Sequence, residues 1–220
     1  MPGRIIAIGD IHGYADALEA LLAAIEPQAD DTLIPLGDYV DRGPDSPRVI
    51  EMLIALAGRC QLVPLLGNHD EMLIDLHHGS SGLKDWLSWG GKETLQGYRC
   101  KHPRKVPTAH IDFLRQCVTY HEIETHFFVH ARYDPELPLD WQPSNLLRWA
   151  SLRPDPPGPH CSGKIAIVGH TAQRDGKVLD LGHLKCIDTA CYAGGWLTAL
   201  DVLSNQVWQA DAKGRLREKG

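Results

Sequence analysis

Apolar residues along this chain fall into short runs that end on glycine. Ile5-Ile6-Ala7-Ile8 runs into Gly9-Asp10-Ile11-His12-Gly13, and Leu33-Ile34-Pro35-Leu36 into Gly37-Asp38-Tyr39-Val40-Asp41-Arg42-Gly43. Leu62-Val63-Pro64-Leu65-Leu66 leads to Gly67-Asn68-His69-Asp70, and Ile165-Ala166-Ile167-Val168 to Gly169-His170-Thr171. Continuous apolar runs of this length read as strands buried on both faces. Between them the period changes. Ala17, Leu18, Leu21, Leu22 and Ile25 repeat at helical spacing over 14–25, and Pro27 closes the segment. Val49, Ile50, Leu53, Ile54 and Leu56 do the same after a start at Asp45 or Ser46 with Pro47 in the first turn. Residues 71–77 form a third, shorter helical pattern with Met72, Leu73 and Leu76 inward. The order βαβαβα predicts a mostly parallel sheet covered by helices.

The second half is patterned differently. Residues 79–118 read as an insertion over the edge of the site, with a helix from Thr108 to Cys117 capped by Thr108. Trp86 and Trp89 in this insertion suit either core or a substrate groove. A hairpin is expected from 119–122 and 125–129, ending at His130, and a short helix at 146–152. Further strands are expected near 178–181, 184–187, 196–201 and 206–210. Strands without helices between them predict a second, antiparallel-rich sheet. The expected fold is therefore α/β, two packed mixed β-sheets flanked by helices. At 220 residues without a linker or repeat, the chain is read as one domain, 1–220.

Composition narrows the function class. A net charge of −6 and a broken basic run at 101–105 give no footprint for nucleic acid. No apolar stretch is long enough to span a bilayer. None of the six cysteines forms a CxxC pair, and no secretory signal is seen, so we expect a reduced, cytoplasmic setting with most thiols acting as buried apolar groups.

Parallel strands deliver their C-terminal ends to one edge, so the glycine-marked tips can converge. With His130 at the end of its own β-run, they would bring together Asp10, His12, Asp38, Asn68, His69, His130 and His170. Asp, Asn and His without Cys suit Mn, Fe, Zn or Mg rather than a structural zinc site. Asp10 and His12 can ligate one ion, Asp38 can bridge two, and Asn68, His130 and His170 can complete the second. Two ions about 3.5–4 Å apart clamp the attacking and leaving oxygens of an in-line displacement.

The set Asp-x-His-Gly, Gly-Asp-x-Val-Asp-Arg-Gly, Gly-Asn-His-Asp, His130 and Gly169-His170 closely resembles the calcineurin-like metallophosphoesterases. Within them it is similar to the phosphoprotein phosphatase branch, above all the compact bacterial and bacteriophage-lambda-type serine/threonine phosphatases. The resemblance is dense over residues 5–73 and rests on isolated residues beyond. It implies two divalent ions, Mn2+ foremost with Fe or Zn as options, held by the ligands above, and hydrolysis by a metal-bridging hydroxide. It implies His69 as general acid, Asp41 as its carboxylate partner, and Arg42 as a phosphate clamp. A second phosphate-binding arginine is expected at Arg148 or Arg153, with a slight preference for Arg148, and an aromatic near the site at Tyr192. His77, His78, His121, His126, His160 and His183 are read as structural. The substrate implied is a phosphoprotein or phosphopeptide. Symmetrical diadenosine tetraphosphate hydrolases share these motifs and are the alternative. A non-catalytic scaffold on this fold is disfavoured because His69, Asp41 and Arg42 all stand beside the ligands.

Overall fold

The computed structural model describes residues 3–218. Strand β1 (Ile5–Ile8) pairs in parallel with β2 (Thr32–Pro35), which pairs in parallel with β3 (Gln61–Leu62). Helices α1 (Ala15–Ile25) and α2 (Ser46–Leu56) make the crossovers, and α3 (Asn68–His78) follows β3. After α3 come the short helices α4 (Leu83–Trp86) and α5 (Lys92–Gly97), joined by a π turn kinked at Gly90, and then α6 (Thr108–Gln116). Strands β4 (Tyr120–Glu122) and β5 (His126–Val129) form the expected hairpin. Helix α7 (Ser144–Trp149) precedes β6 (Ile165–Val168), and the remaining strands are β7 (Leu179–Asp180), β8 (Leu184–Cys186), β9 (Leu197–Asp201) and β10 (Val207–Ala210).

These strands build two five-stranded mixed sheets, β10-β9-β1-β2-β3 and β4-β5-β6-β8-β7. The strand period explains how they stack. In β1, Ile6 and Ile8 join the core under α1 and α2, while Ala7 joins the core between the sheets. In the second sheet Phe127, Val129, Ala166 and Val168 face outward beneath α7, and Phe128 and Ile167 face the first sheet. Both faces are buried, which is why the runs are continuously apolar rather than alternating.

Three expectations change. The second sheet is not antiparallel-rich: its centre, β5-β6-β8, is parallel, and β9 and β10 leave for the first sheet, where β9 lies antiparallel to β1 and β10 antiparallel to β9. Its crossovers are mostly irregular chain, which gives no helical period to read. The predicted strand at 62–66 is cut short. Pro64 has no N–H for the ladder, and Leu66 N and the Pro64 carbonyl bond Val118 instead. Helix α3 begins at Asn68, three residues earlier than expected, with Asp70 Oδ2 accepting from Gly67 N at 3.1 Å. A smaller difference is that Pro107, not Thr108, precedes α6, and no side chain caps it.

Candidate active site

All the glycine-marked tips meet where the two sheets abut. Gly37 has φ +109, and a Cβ there would lie 2.5 Å from Gly67 N and 2.9 Å from the His130 ring. Only a residue without a side chain lets the β2 and β3 tips and His130 approach this closely. Backbone torsion is concentrated here. Among the described residues, His12, Asp38, Asp41, Arg42 and His170 account for five of nine non-glycine residues with positive φ. Such conformations cost about 1–3 kcal/mol each and persist where surrounding structure imposes them.

Asp38 lies at the centre, 2% exposed. Its Oδ2 is 3.5 Å from His12 Nε2 and its Oδ1 is 3.5 Å from His130 Nε2. Two clusters of ligand atoms share it: His12, Asp38 and His69 on one side, and Asp38, His130 and His170 on the other. Asn68 Oδ1 lies 3.1 Å from His130 Nε2 and 3.0 Å from His170 Nδ1. Asp10 sits at the seam, where its carboxylate accepts from His170 N at 3.1 Å. The six predicted ligands are thus brought together, with Asp10 outside the tightest groups.

The donors are prepared as ligands. His12 Nδ1–H donates to the Val40 carbonyl at 2.9 Å and His130 Nδ1–H to Leu36 at 2.8 Å, leaving each Nε2 lone pair turned inward. Burial pushes His12, His130 and His170 below their usual range, His170 to about 4, so the rings are neutral at pH 7. Burial opposes the charge on Asp38, but the surrounding imidazoles, His130 first, hold its carboxyl well below the usual range. Burial, then the charges of Asp188 and Asp38, push Asp10 well up. Asp188, at the tip of β8, keeps one carboxylate oxygen buried without a hydrogen-bond partner. Carboxylates crowded with neutral imidazoles fit a site for divalent cations. Asp188 was missed from the sequence because its strand, Leu184-Lys185-Cys186-Ile187, has neither a continuous apolar run nor a glycine to mark the tip. The orphaned oxygen is the signal that finds it.

The second part of the site is a dyad. His69 Nδ1–H donates to Asp41 Oδ2 at 2.7 Å. Burial works against the imidazolium, but the Asp38 charge and the Asp41 bond outweigh it and raise His69. Asp41 is fully enclosed: Trp86 Nε1–H also donates to Oδ2 at 2.8 Å, and Thr94 Oγ1 to Oδ1 at 2.7 Å. The 79–118 insertion therefore supplies two donors that lock the dyad, a role the sequence did not reveal. Arg42 sends one N–H to His12 Nε2 at 2.7 Å and another to His69 Nε2 at 3.0 Å. Its guanidinium stacks 4.1 Å from the centre of the Tyr192 ring. Its backbone N–H bonds the Gly90 carbonyl at 3.0 Å, so the insertion also fixes the clamp.

The two candidate second arginines border different parts of the site. Arg148 pairs with Glu71 at 2.7 Å, keeps its Nε buried and unpartnered, and its charge acts on His130. Arg153 donates to the Ala172 carbonyl at 2.8 Å, and its charge acts on Asp188. Of the histidines read as structural, His126 and His160 are buried and bond Thr125 and Ser162. Cys60, Cys186 and Cys191 are buried, and no disulfide joins the described cysteines. No helix among the described residues is long and apolar enough to cross a membrane.

The profile of the calcineurin-like phosphoesterase family matches residues 3–174. A symmetrical bis(5'-nucleosyl)-tetraphosphatase of Acidovorax sp. (strain JS42) is 44% identical over 77 residues, which cover 34% of this chain but only 27% of that protein. A protein of the same name from Salmonella paratyphi A is 28% identical over 257 positions, covering 88% of this chain and 89% of the relative. A crystal structure of a candidate diadenosine tetraphosphatase superimposes with a TM-score of 0.72 at 24% identity, over all of this chain and 96% of the other.

Proposed function

This chain belongs to the calcineurin-like phosphoesterase family, and from that premise we propose that it hydrolyses dinucleoside tetraphosphates symmetrically, releasing two nucleoside diphosphates. The reading reverses the order of preference drawn from the motifs alone, which put a serine/threonine phosphatase first. The observation that carries it is the open groove of about 470 Å3 in which Arg42 faces Trp89, Lys92 and Tyr192. A polyphosphate needs cations and aromatic surface beyond the ions, and a phosphoserine side chain does not. The near full-length similarity to the Salmonella tetraphosphatase supports it.

Two divalent ions held by Asp10, His12, Asp38, Asn68, His130 and His170 would supply Lewis acidity toward water and the phosphoryl group. The chain's own groups do the rest. Arg42 grips non-bridging oxygens with its planar fork. His69 Nε2 accepts from Arg42 in this structure; once the Arg42 fork turns to phosphate oxygens, that nitrogen is free to carry a proton to the departing oxygen, and Asp41 holds the ring in the donating orientation. Arg148 is the preferred second phosphate contact, since its charge already reaches His130.

One observation favours the protein phosphatase reading. The buried, doubly anchored acid matters most for an alkoxide leaving group, and less for a nucleoside diphosphate. A substrate comparison with Mn2+-loaded protein separates the two. Conversion of diadenosine tetraphosphate to ADP alone, with a phosphoserine peptide untouched, is expected. Phosphate release from the peptide with the dinucleotide intact would overturn the proposal.

A further inference from the structure

A second cleft lies on the other side of Trp89. Trp86 forms its floor, Trp89 and Trp149 stand at its walls, and Met72, Asp75 and Asp85 complete it, with a volume of about 190 Å3. Trp89 is 49% exposed and Trp149 38%, whereas Trp86 is buried. Two half-open indoles over an apolar floor make a platform for a flat ring.

The cleft is tied to the reacting centre at two points. Its floor donates to Asp41 through Trp86 Nε1, and its wall donates to Glu71 through Trp149 Nε1 at 2.7 Å. It also continues the face of α3 that presents Asn68. Met72 and Asp75 follow at helical spacing, roughly 6 and 10 Å further along the axis. A phosphate and a ribose extending from ions near Asn68 would span that interval.

Charge differs along the same line. Arg42 stands at the phosphate end, and Lys92 and Glu93 lie in the groove it shares, so that groove sets two cations against one carboxylate. The charged residues lining the tryptophan cleft are both carboxylates, Asp75 and Asp85. Carboxylates repel phosphate and accept only from N–H donors. A ring that stacks well and carries amino hydrogens on its edge fits this end, and a phosphate does not.

We propose that the cleft is a purine subsite: an adenine or guanine ring stacks against Trp89 and Trp149, and its amino edge donates to Asp75 or Asp85. The inference rests on the nucleotide reading above and gives that reading a base preference. Uracil, with less stacking surface and no amino group, is the poor ligand.

The test measures binding to Mn2+-loaded protein by titration calorimetry, with α,β-methylene-ADP, α,β-methylene-UDP and methylenediphosphonate as non-hydrolysable probes. In wild type the adenine compound should bind about tenfold tighter than methylenediphosphonate, the scale of one base–aromatic stack. Trp89→Ala should remove most of that advantage. Asp85→Asn, at an exposed position, should narrow the preference for adenine over uracil. An adenine compound that binds no better than methylenediphosphonate, or an advantage untouched in Trp89→Ala, overturns the subsite. Turnover of diadenosine tetraphosphate is scored separately. Turnover without a base advantage sinks the subsite and leaves the proposed function. A Trp89-dependent base advantage without turnover keeps the subsite and sinks the proposed function.

Discussion

Trp86→Phe isolates the lock on the acid dyad. Trp86 packs its ring against Gly91 and offers one N–H to Asp41. Phenylalanine keeps a ring in the same space and loses that donor. Asp41 retains His69 and Thr94, so the carboxylate goes from three side-chain donors to two. A hydrogen bond to a charged group contributes about 1.5–3 kcal/mol. If that falls on the orientation and charge of His69, proton delivery slows by about 10- to 150-fold. The assay is kcat/KM across a series of aryl phosphates of rising leaving-group pKa. The loss should be about threefold or less for p-nitrophenyl phosphate, whose leaving oxygen needs little protonation, and should grow toward phenyl phosphate. The plot against leaving-group pKa therefore steepens in the variant. Parallel lines, with the same loss at every leaving group, would refute the reasoning and make Trp86 a packing residue only. Metal content, measured alongside, should stay at the wild-type value.

Three further outcomes follow from the geometry. Asp38→Asn should remove both ions, because Asp38 faces His12 and His130 together; mass-spectrometric metal analysis that still finds two ions per chain would exclude the bridging position. Asp31 accepts from Arg4 and Gln28, and the Arg4 side-chain bond leads in drawing its carboxyl down to about 2. A depressed carboxyl stabilises above its unfolded value and loses that contribution as pH falls through the folded value. Asp31→Asn should therefore cost about 1–2 kcal/mol at pH 7, with the difference from wild type closing as urea melts are run from pH 4 toward pH 2. Burial raises Asp188 to about 6, so its ionisation destabilises the fold increasingly as pH rises from the unfolded value toward 6 and fully above it. Metal-free Asp188→Asn should thus melt above metal-free wild type at pH 8, while binding Mn2+ more weakly in calorimetry; a lower melting temperature would argue against it.

Much of this site was legible because every tip proposed to bear a ligand follows an apolar run, and all but that of His130 also carry a glycine. Gly37 shows why: the approach of Gly67 and His130 leaves no room for a Cβ, so the requirement is written into the sequence. Asp188 and Trp86 were not legible for the opposite reason. Asp188 follows an ordinary Leu-Lys-Cys-Ile strand, and Trp86 reaches Asp41 across 45 positions from a segment with no strand period. The second sheet was misread because its parallel neighbours are joined by irregular chain. Arg148 and Arg153 are separated in sequence only by the short helical pattern that holds Arg148, and their contacts distinguish them further.

Asp10, His12, Asp38 and Asn68 come from the first sheet and its helix, and His130 and His170 from the second. With ions held by these residues as proposed, uptake would also be a cross-link, fastening two layers that otherwise adhere by apolar contact and a few hydrogen bonds. An unfolded chain cannot present these groups together, so occupancy draws the folding equilibrium toward the native state by mass action. At a free-ion level a thousandfold above Kd the gain is about 4 kcal/mol, a large part of the margin by which domains of this size stay folded. The melting temperature becomes a gauge of metal supply. Starving a cell of the metal would lower the amount of this protein as well as its activity, because proteases clear molecules whose layers have come apart.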